Sequence, residues 1–212
     1  MDYIALYKFN YFHIHLTEDQ GWRFESKLYP KLTIKGCKRS HTNFGFKKEE
    51  GFYTQEQLKE LVDYCHKRYI KVIPEIDMPG HTMSALACYP ELSCFDRKLK
   101  VSTHWGIKFD IMCAGKDFTY KFCKDIIDEL CEIFTDEYIH IGGDEALKLR
   151  WSMCEHCKKK LAEHFNPKFC NKINIKRQFF QKFIIISFAL TTPKNFAYCK
   201  NSWKHINNYV VQ

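Results

Sequence analysis

The sequence predicts an α/β fold built on parallel strands, and three observations carry that prediction. Three short apolar runs read as strands: FNYFHIHL at residues 9–16, KVIPEID at 71–77 and EYIHIGG at 137–143. A helical pattern precedes the second run and another precedes the third, each ending only a few residues before the strand begins. Strand, helix, strand, helix, strand with short returns is the rhythm of parallel βαβ units, whose crossovers are right-handed.

Each element has its own local cause. In the first run Phe12, Ile14 and Leu16 point one way and His13 and His15 the other. Thr54 and Gln57 have capping-box spacing, and Leu58, Leu61, Val62, Cys65 and Tyr69 follow at helical intervals. In the second run Pro74 counts against a central strand, because proline has no N–H for the ladder. Asp117 is placed to cap a helix with the apolar stripe Phe118, Phe122, Ile126, Leu130 and Ile133. A complete eight-stranded barrel needs ~250 residues, so three strands make at most an incomplete (β/α)8 TIM-type barrel.

Composition narrows the function classes. With 45% hydrophobic and 16% aromatic residues, the chain of 212 can fill a core and is not a disordered tail. The formal net charge is +8, but residues 158–212 hold eleven Lys/Arg against the single Glu163, leaving the rest slightly acidic. A fold that grips nucleic acid spreads basic residues over its folded part, so no nucleic-acid partner is expected. Residues 1–164 are read as the catalytic unit and 165–212, where the βα rhythm stops, as a basic tail from outside it. The opening MDYIALYKFN lacks the basic start and long apolar run of a signal peptide. The run FIIISFAL at 183–190 is far shorter than the ~20 residues of a membrane span. Eleven cysteines is an odd count in a chain too large to need staples, so mostly free or core thiols are expected.

In parallel α/β folds chemistry collects at the carboxyl ends of the strands. Here those ends read TEDQGWR, DMPGH and DEA. The longer blocks HIHLTEDQGWRFESKLYPKLT, IPEIDMPGHTMSALACYPELSC and YIHIGGDEALKLRW resemble, in order, the signature blocks of the family 20 glycoside hydrolases, the β-N-acetylhexosaminidases. The resemblance covers residues 1 to about 160 and implies barrel strands two to four. It implies retaining hydrolysis of β-linked terminal N-acetylglucosamine or N-acetylgalactosamine, with the sugar's own acetamido oxygen as nucleophile. Glu145 is then the general acid and base, and Asp144 orients the acetamido group and steadies the oxazolinium cation. His81, Glu18, Asp19 and Asp77 form the supporting network, with no cofactor and no metal. Relatives are commonly lysosomal, secreted or periplasmic, so a lysosomal or secreted parent is expected. The family's first strand, with a sugar-binding arginine, and its later aromatic walls are not recognised. That opens a second reading: a catalytically silent fragment with open sheet edges, serving as an interaction module or completed by another copy of the chain.

Adjacent acids at a strand end make physical sense in such a site. Past the strand they can splay around one substrate, and Gly142 and Gly143 clear a close approach. Two charges ~5 Å apart at an effective dielectric of ~20 repel by about 3 kcal/mol, enough to lift a glutamate from about 4.3 to somewhat above 6. On its own an Asp-Glu pair is more often a solvated helix start. Trp22 and Trp151 read as packing. His13 and His15 could face a metal, and Cys154 with Cys157 forms one CxxC arm, but neither has a visible partner set downstream.

Overall fold

Residues 9–16 and 71–77 become neighbouring parallel strands, as their patterns require. The computed structural model describes residues 1–42 and 45–164, and the reading of 165–212 as a separate tail lies outside the described residues. The chain opens with a short helix, α1 (Asp2–Leu6), and strand β1 (Tyr11–His15). Two small antiparallel pairs follow: β2 (Thr17–Glu18) with β3 (Gly21–Trp22), and β4 (Lys38–Arg39) with β5 (Glu49–Glu50). Helix α2 (Gln55–His66) leads into β6 (Lys71–Glu75), and α3 (Met83–Cys88), α4 (Asp117–Ile133), α5 (Leu149–Met153) and α6 (Glu155–His164) come after. β1 pairs with β6 in register from Tyr11↔Lys71 to His15↔Glu75.

The third run lies beside β6 but is not a regular strand. It makes one parallel bridge, Glu75↔His140, with His140 N–H donating to the Pro74 carbonyl (2.9 Å) and Ile76 N–H to that of His140 (3.0 Å). Pro74 faces this neighbour with a carbonyl and no N–H, so the ladder cannot extend backward past it. Forward, Met78 N–H donates to Ile141 (3.0 Å) where an even register would use Gly142, so the pairing slips by one residue. Among the described residues no closed barrel forms, and the other edge of β1 is unpaired.

The helices bury one face each. The Thr54–Gln57 capping box forms, and Leu58, Val62 and Cys65 are buried. Tyr69 is not part of that stripe: it turns into the left-handed region (φ 59°), 92% exposed, and Ile70 takes the core position instead. In α4 the buried stripe includes Phe122, Ile126, Leu130 and Ile133. Asp117 does not cap its helix. It is the first helical residue after Lys116 and pairs with Lys160 (2.8 Å). Trp22 and Trp151 are core residues whose indole N–H groups donate to the Phe24 (2.7 Å) and Met112 (2.8 Å) carbonyls.

One polar knot ties these layers. The buried Glu129 carboxylate of α4 accepts from Ser26 Oγ, the Lys27 and Leu28 N–H groups and Gln55 Nε2, so it joins the loop after β3 to the start of α2. Removing it leaves several donors dry. Glu129→Ala is expected to cost about 3 kcal/mol, against about 1 kcal/mol for Thr54→Ala at the exposed cap, both read from urea unfolding midpoints.

Candidate active site

The three polar strand ends meet at one imidazole. β1 runs on through Leu16 to Glu18 and Asp19, β6 runs on to Asp77 and His81, and the third run ends at Asp144 and Glu145. His81 Nδ1 lies 2.9 Å from Glu18 Oε1 and 3.5 Å from Asp19 Oδ2. Its Nε2 lies 3.2 Å from Glu145 Oε2 and 4.0 Å from Asp144 Oδ2. One ring thus links the first strand end to the third.

Backbone strain sets this geometry. His81 (φ 53°) and Glu145 (φ 46°) both adopt the left-handed region that L side chains rarely take. Gly142 sits at φ 63°, and a Cβ there would overlap the Asp77 carboxylate. The sequence reading assigned this glycine to the approach of a sugar. The space it frees is filled by Asp77, so its role is to seat a carboxylate of the neighbouring strand. At Gly80 a Cβ would come 3.0 Å from the Asp144 carbonyl oxygen, so the two segments pass main chain to main chain.

Burial separates the acids into two kinds. Asp19 is fully buried, with Oδ1 accepting from Met83 N–H (3.0 Å), and burial pushes its pKa up to about 6. Asp77 is also buried, which raises its pKa, while Oδ2 pairs with His15 Nε2 (2.9 Å) and its N–H donates to Thr17 Oγ1 (3.0 Å). The hydrogen bond to Asp77 in turn pushes His15 up to about 9. For His81 burial opposes the charged form, but the carboxylates of Glu18, Asp19, Asp77 and Asp144 outweigh it and hold the pKa above the usual histidine value. Asp144 and Glu145 differ: their side chains are 67% and 47% exposed. Water therefore screens their repulsion more than the effective dielectric of ~20 taken in the sequence reading allows.

His13 and His15 do face one side, as their spacing requires, and each meets an acid. His13 Nε2 lies 2.6 Å from Glu75, whose other oxygen is 2.7 Å from His140 Nδ1. These histidines each have a carboxylate partner at hydrogen-bond distance, which accounts for the cluster without an ion. Beside Glu18 opens a cleft of about 440 Å³ whose walls include His15, Arg39, Thr103 and Trp105. Arg39, on the two-residue strand β4, and Trp105 were missed in the sequence because neither lies in one of the three periodic runs or at their ends; only the tertiary fold brings them beside Glu18.

Comparison with known proteins identifies the family. Residues 1–187 match the model of the glycosyl hydrolase family 20 catalytic domain. A β-hexosaminidase of Porphyromonas gingivalis is 49% identical over 164 residues, 77% of this chain and 21% of that protein. One of Akkermansia muciniphila is 42% identical over 159 residues, 74% of this chain and 32% of that protein. The chain therefore spans between a fifth and a third of the length of these relatives. Among solved structures, a β-N-acetylhexosaminidase superposes with a TM-score of 0.80 at 38% identity, covering 89% of this chain and 40% of that one. The Streptomyces plicatus N-acetyl-β-hexosaminidase in complex with Thio-NAglucal gives 0.65 at 42% identity, covering 71% of this chain and 30% of that one. A match across most of the chain, together with acids and histidine gathered from three successive strand ends, shows that this chain belongs to glycosyl hydrolase family 20, within its catalytic domain.

Proposed function

We propose that the chain carries the acid–base centre of a retaining, substrate-assisted β-N-acetylhexosaminidase, which releases terminal non-reducing N-acetylhexosamine from β-linked glycoconjugates. It is read as strands two to four of an incomplete (β/α)8 barrel. The observation that carries the reading is the position of His81, in reach of Glu145 on one ring nitrogen and Glu18 on the other. Further support comes from a Streptomyces plicatus relative solved with its product GlcNAc.

In this reading Glu145 protonates the leaving glycosidic oxygen and then takes a proton from the attacking water. Asp144 receives the acetamido N–H and balances the cation that forms when the acetamido oxygen attacks the anomeric carbon. His81 orients Glu145, and Glu18 and Asp19 hold His81. Asp77, locked to His15 and pressed against Gly142, fixes the turn from which Asp144 and Glu145 project. The exposure of both acids, and the edge of β1 that pairs with no strand among the described residues, favour the second reading, a catalytically silent fragment acting at most as an interaction module.

Turnover of a chromogenic β-N-acetylglucosaminide by the purified chain decides between them. Glu145→Gln is expected to lower kcat about a thousandfold and Asp144→Asn by about a hundredfold. A cooperatively folded chain with no turnover overturns the enzyme reading.

The network also sets a pH dependence of stability. His15 titrates near 9 when folded, above its ordinary 6.5, so its pairing with Asp77 adds stability that is complete below pH 6.5 and lost as pH rises through 9. Asp19 acts in the same sense lower down: raised from 3.8 to about 6, its contribution is present below 3.8 and lost through 6. Tm is expected to fall across both windows. His15→Gln should lessen the upper fall, to which the raised His81 also contributes, and Asp19→Asn should lessen the lower one; a Tm unchanged from pH 6.5 to 9 in the unsubstituted chain contradicts the pairing.

A further inference from the structure

We propose that Cys94, Cys113, Cys154 and Cys157 form a tetrathiolate zinc site that anchors the loop walling the cleft beside Glu18. The sequence shows one CxxC arm and no second arm after it. The fold supplies the second arm from earlier in the chain, with two cysteines that are not adjacent in sequence.

The geometry separates a metal site from disulfides. All four sulfurs lie within 4.8 Å of one another, and all four residues are buried. The sulfur separations are 3.5 Å for Cys113–Cys157, 3.8 Å for Cys113–Cys154 and 3.9 Å for Cys94–Cys157. A tetrahedron with Zn–S bonds of about 2.3 Å has edges of about 3.8 Å. A disulfide needs about 2.0 Å, far below each of these separations. Four thiols buried together, with only weak S–H donors between them, otherwise waste the site; a soft divalent cation with a tetrahedral preference uses every sulfur.

Main-chain structure supports each arm. Cys154 lies between α5 and α6 and Cys157 in the first turn of α6, at the positive end of a helix whose dipole favours thiolates. Cys94 and Cys113 flank the antiparallel bridge Ser93↔Met112, which holds their segments side by side. Gly115 then packs so closely on the His156–Cys157 peptide that any Cβ would overlap it.

The site closes the loop 95–112 at its base. That loop reaches the segment that holds His81: Ser102 N–H donates to the Asp19 carbonyl (2.9 Å), Gln20 Nε2 donates to the His104 carbonyl (2.9 Å), and Trp105 lines the cleft beside Glu18. Zinc would tie this wall to α6, which follows Asp144 and Glu145 in the chain.

The test is metal analysis of the purified full chain. One zinc per chain is expected, released as a mercurial thiol reagent titrates four sulfurs beyond the freely reactive thiols. Replacement by Co²⁺ should give the intense near-ultraviolet charge-transfer and visible bands of tetrahedral tetrathiolate cobalt. Cys113→Ser and Cys157→Ser should lose the metal, while Cys131→Ser, at an exposed cysteine outside the cluster, should keep it. A folded, metal-free unsubstituted chain that takes up no zinc or cobalt overturns the proposal. So does iron in place of zinc, or disulfides among these four residues by peptide mapping. The proposal is independent of the glycosidase reading: a zinc-loaded chain without hydrolase activity supports it and counts only against that reading.

Discussion

The imidazole of His81 is the fixed point on which the site depends. Its two ring nitrogens face carboxylates from different strand ends, and four acids around it keep its pKa raised against the cost of burial. Charge alone would not hold this arrangement, because unpaired acids in a cluster repel. What holds it is backbone: left-handed residues at 81 and 145, and glycines at 80 and 142 that let neighbouring segments approach without side chains between them. The strain at these positions is offset by the packing and hydrogen bonds of the strands that lead into them.

Those strands divide the molecule into two faces. On one, Val72 of β6 and the neighbouring Leu16 and Ile76 pack against α2 and α4, and Glu129 closes the polar gap between loop and helices. On the other, Tyr11, His13 and His15 of β1 stand exposed, and the two histidines meet Glu75 of β6 and Asp77 just past its end. Pro74 and the one-residue slip ahead of Gly142 keep the third run from becoming a regular ladder. The same irregularity turns the chain so that Asp144 and Glu145 leave the sheet together and reach His81. A more regular strand would send adjacent side chains to opposite faces.

Much of this was legible in local pattern. Alternation marked the first strand, the Thr54–Gln57 box marked the start of α2, and the stripe from Phe122 to Ile133 marked α4, because each depends on residues only a few positions apart. Errors fell where a neighbour in space decides. Tyr69 fits the helical stripe by spacing, yet the turn into β6 throws it outward. Asp117 has the chemistry of a cap but pairs with Lys160 of a later helix. Gly142 looked like room for a ligand, and Asp77 occupies that room.

By itself the sequence determined the α/β class, the faces of β1 and α4, the family, and which six polar residues stand at the ends of the three runs, since periodicity and motif blocks are contiguous. Only the tertiary structure decided that His81 joins Glu18 to Glu145, that water reaches Asp144 and Glu145, and that Cys94 and Cys113 meet Cys154 and Cys157. The reason is physical: hydrogen-bond, ion-pair and ligand distances depend on how separate segments pack, and no spacing along one chain encodes the distance between two atoms that the fold alone brings together.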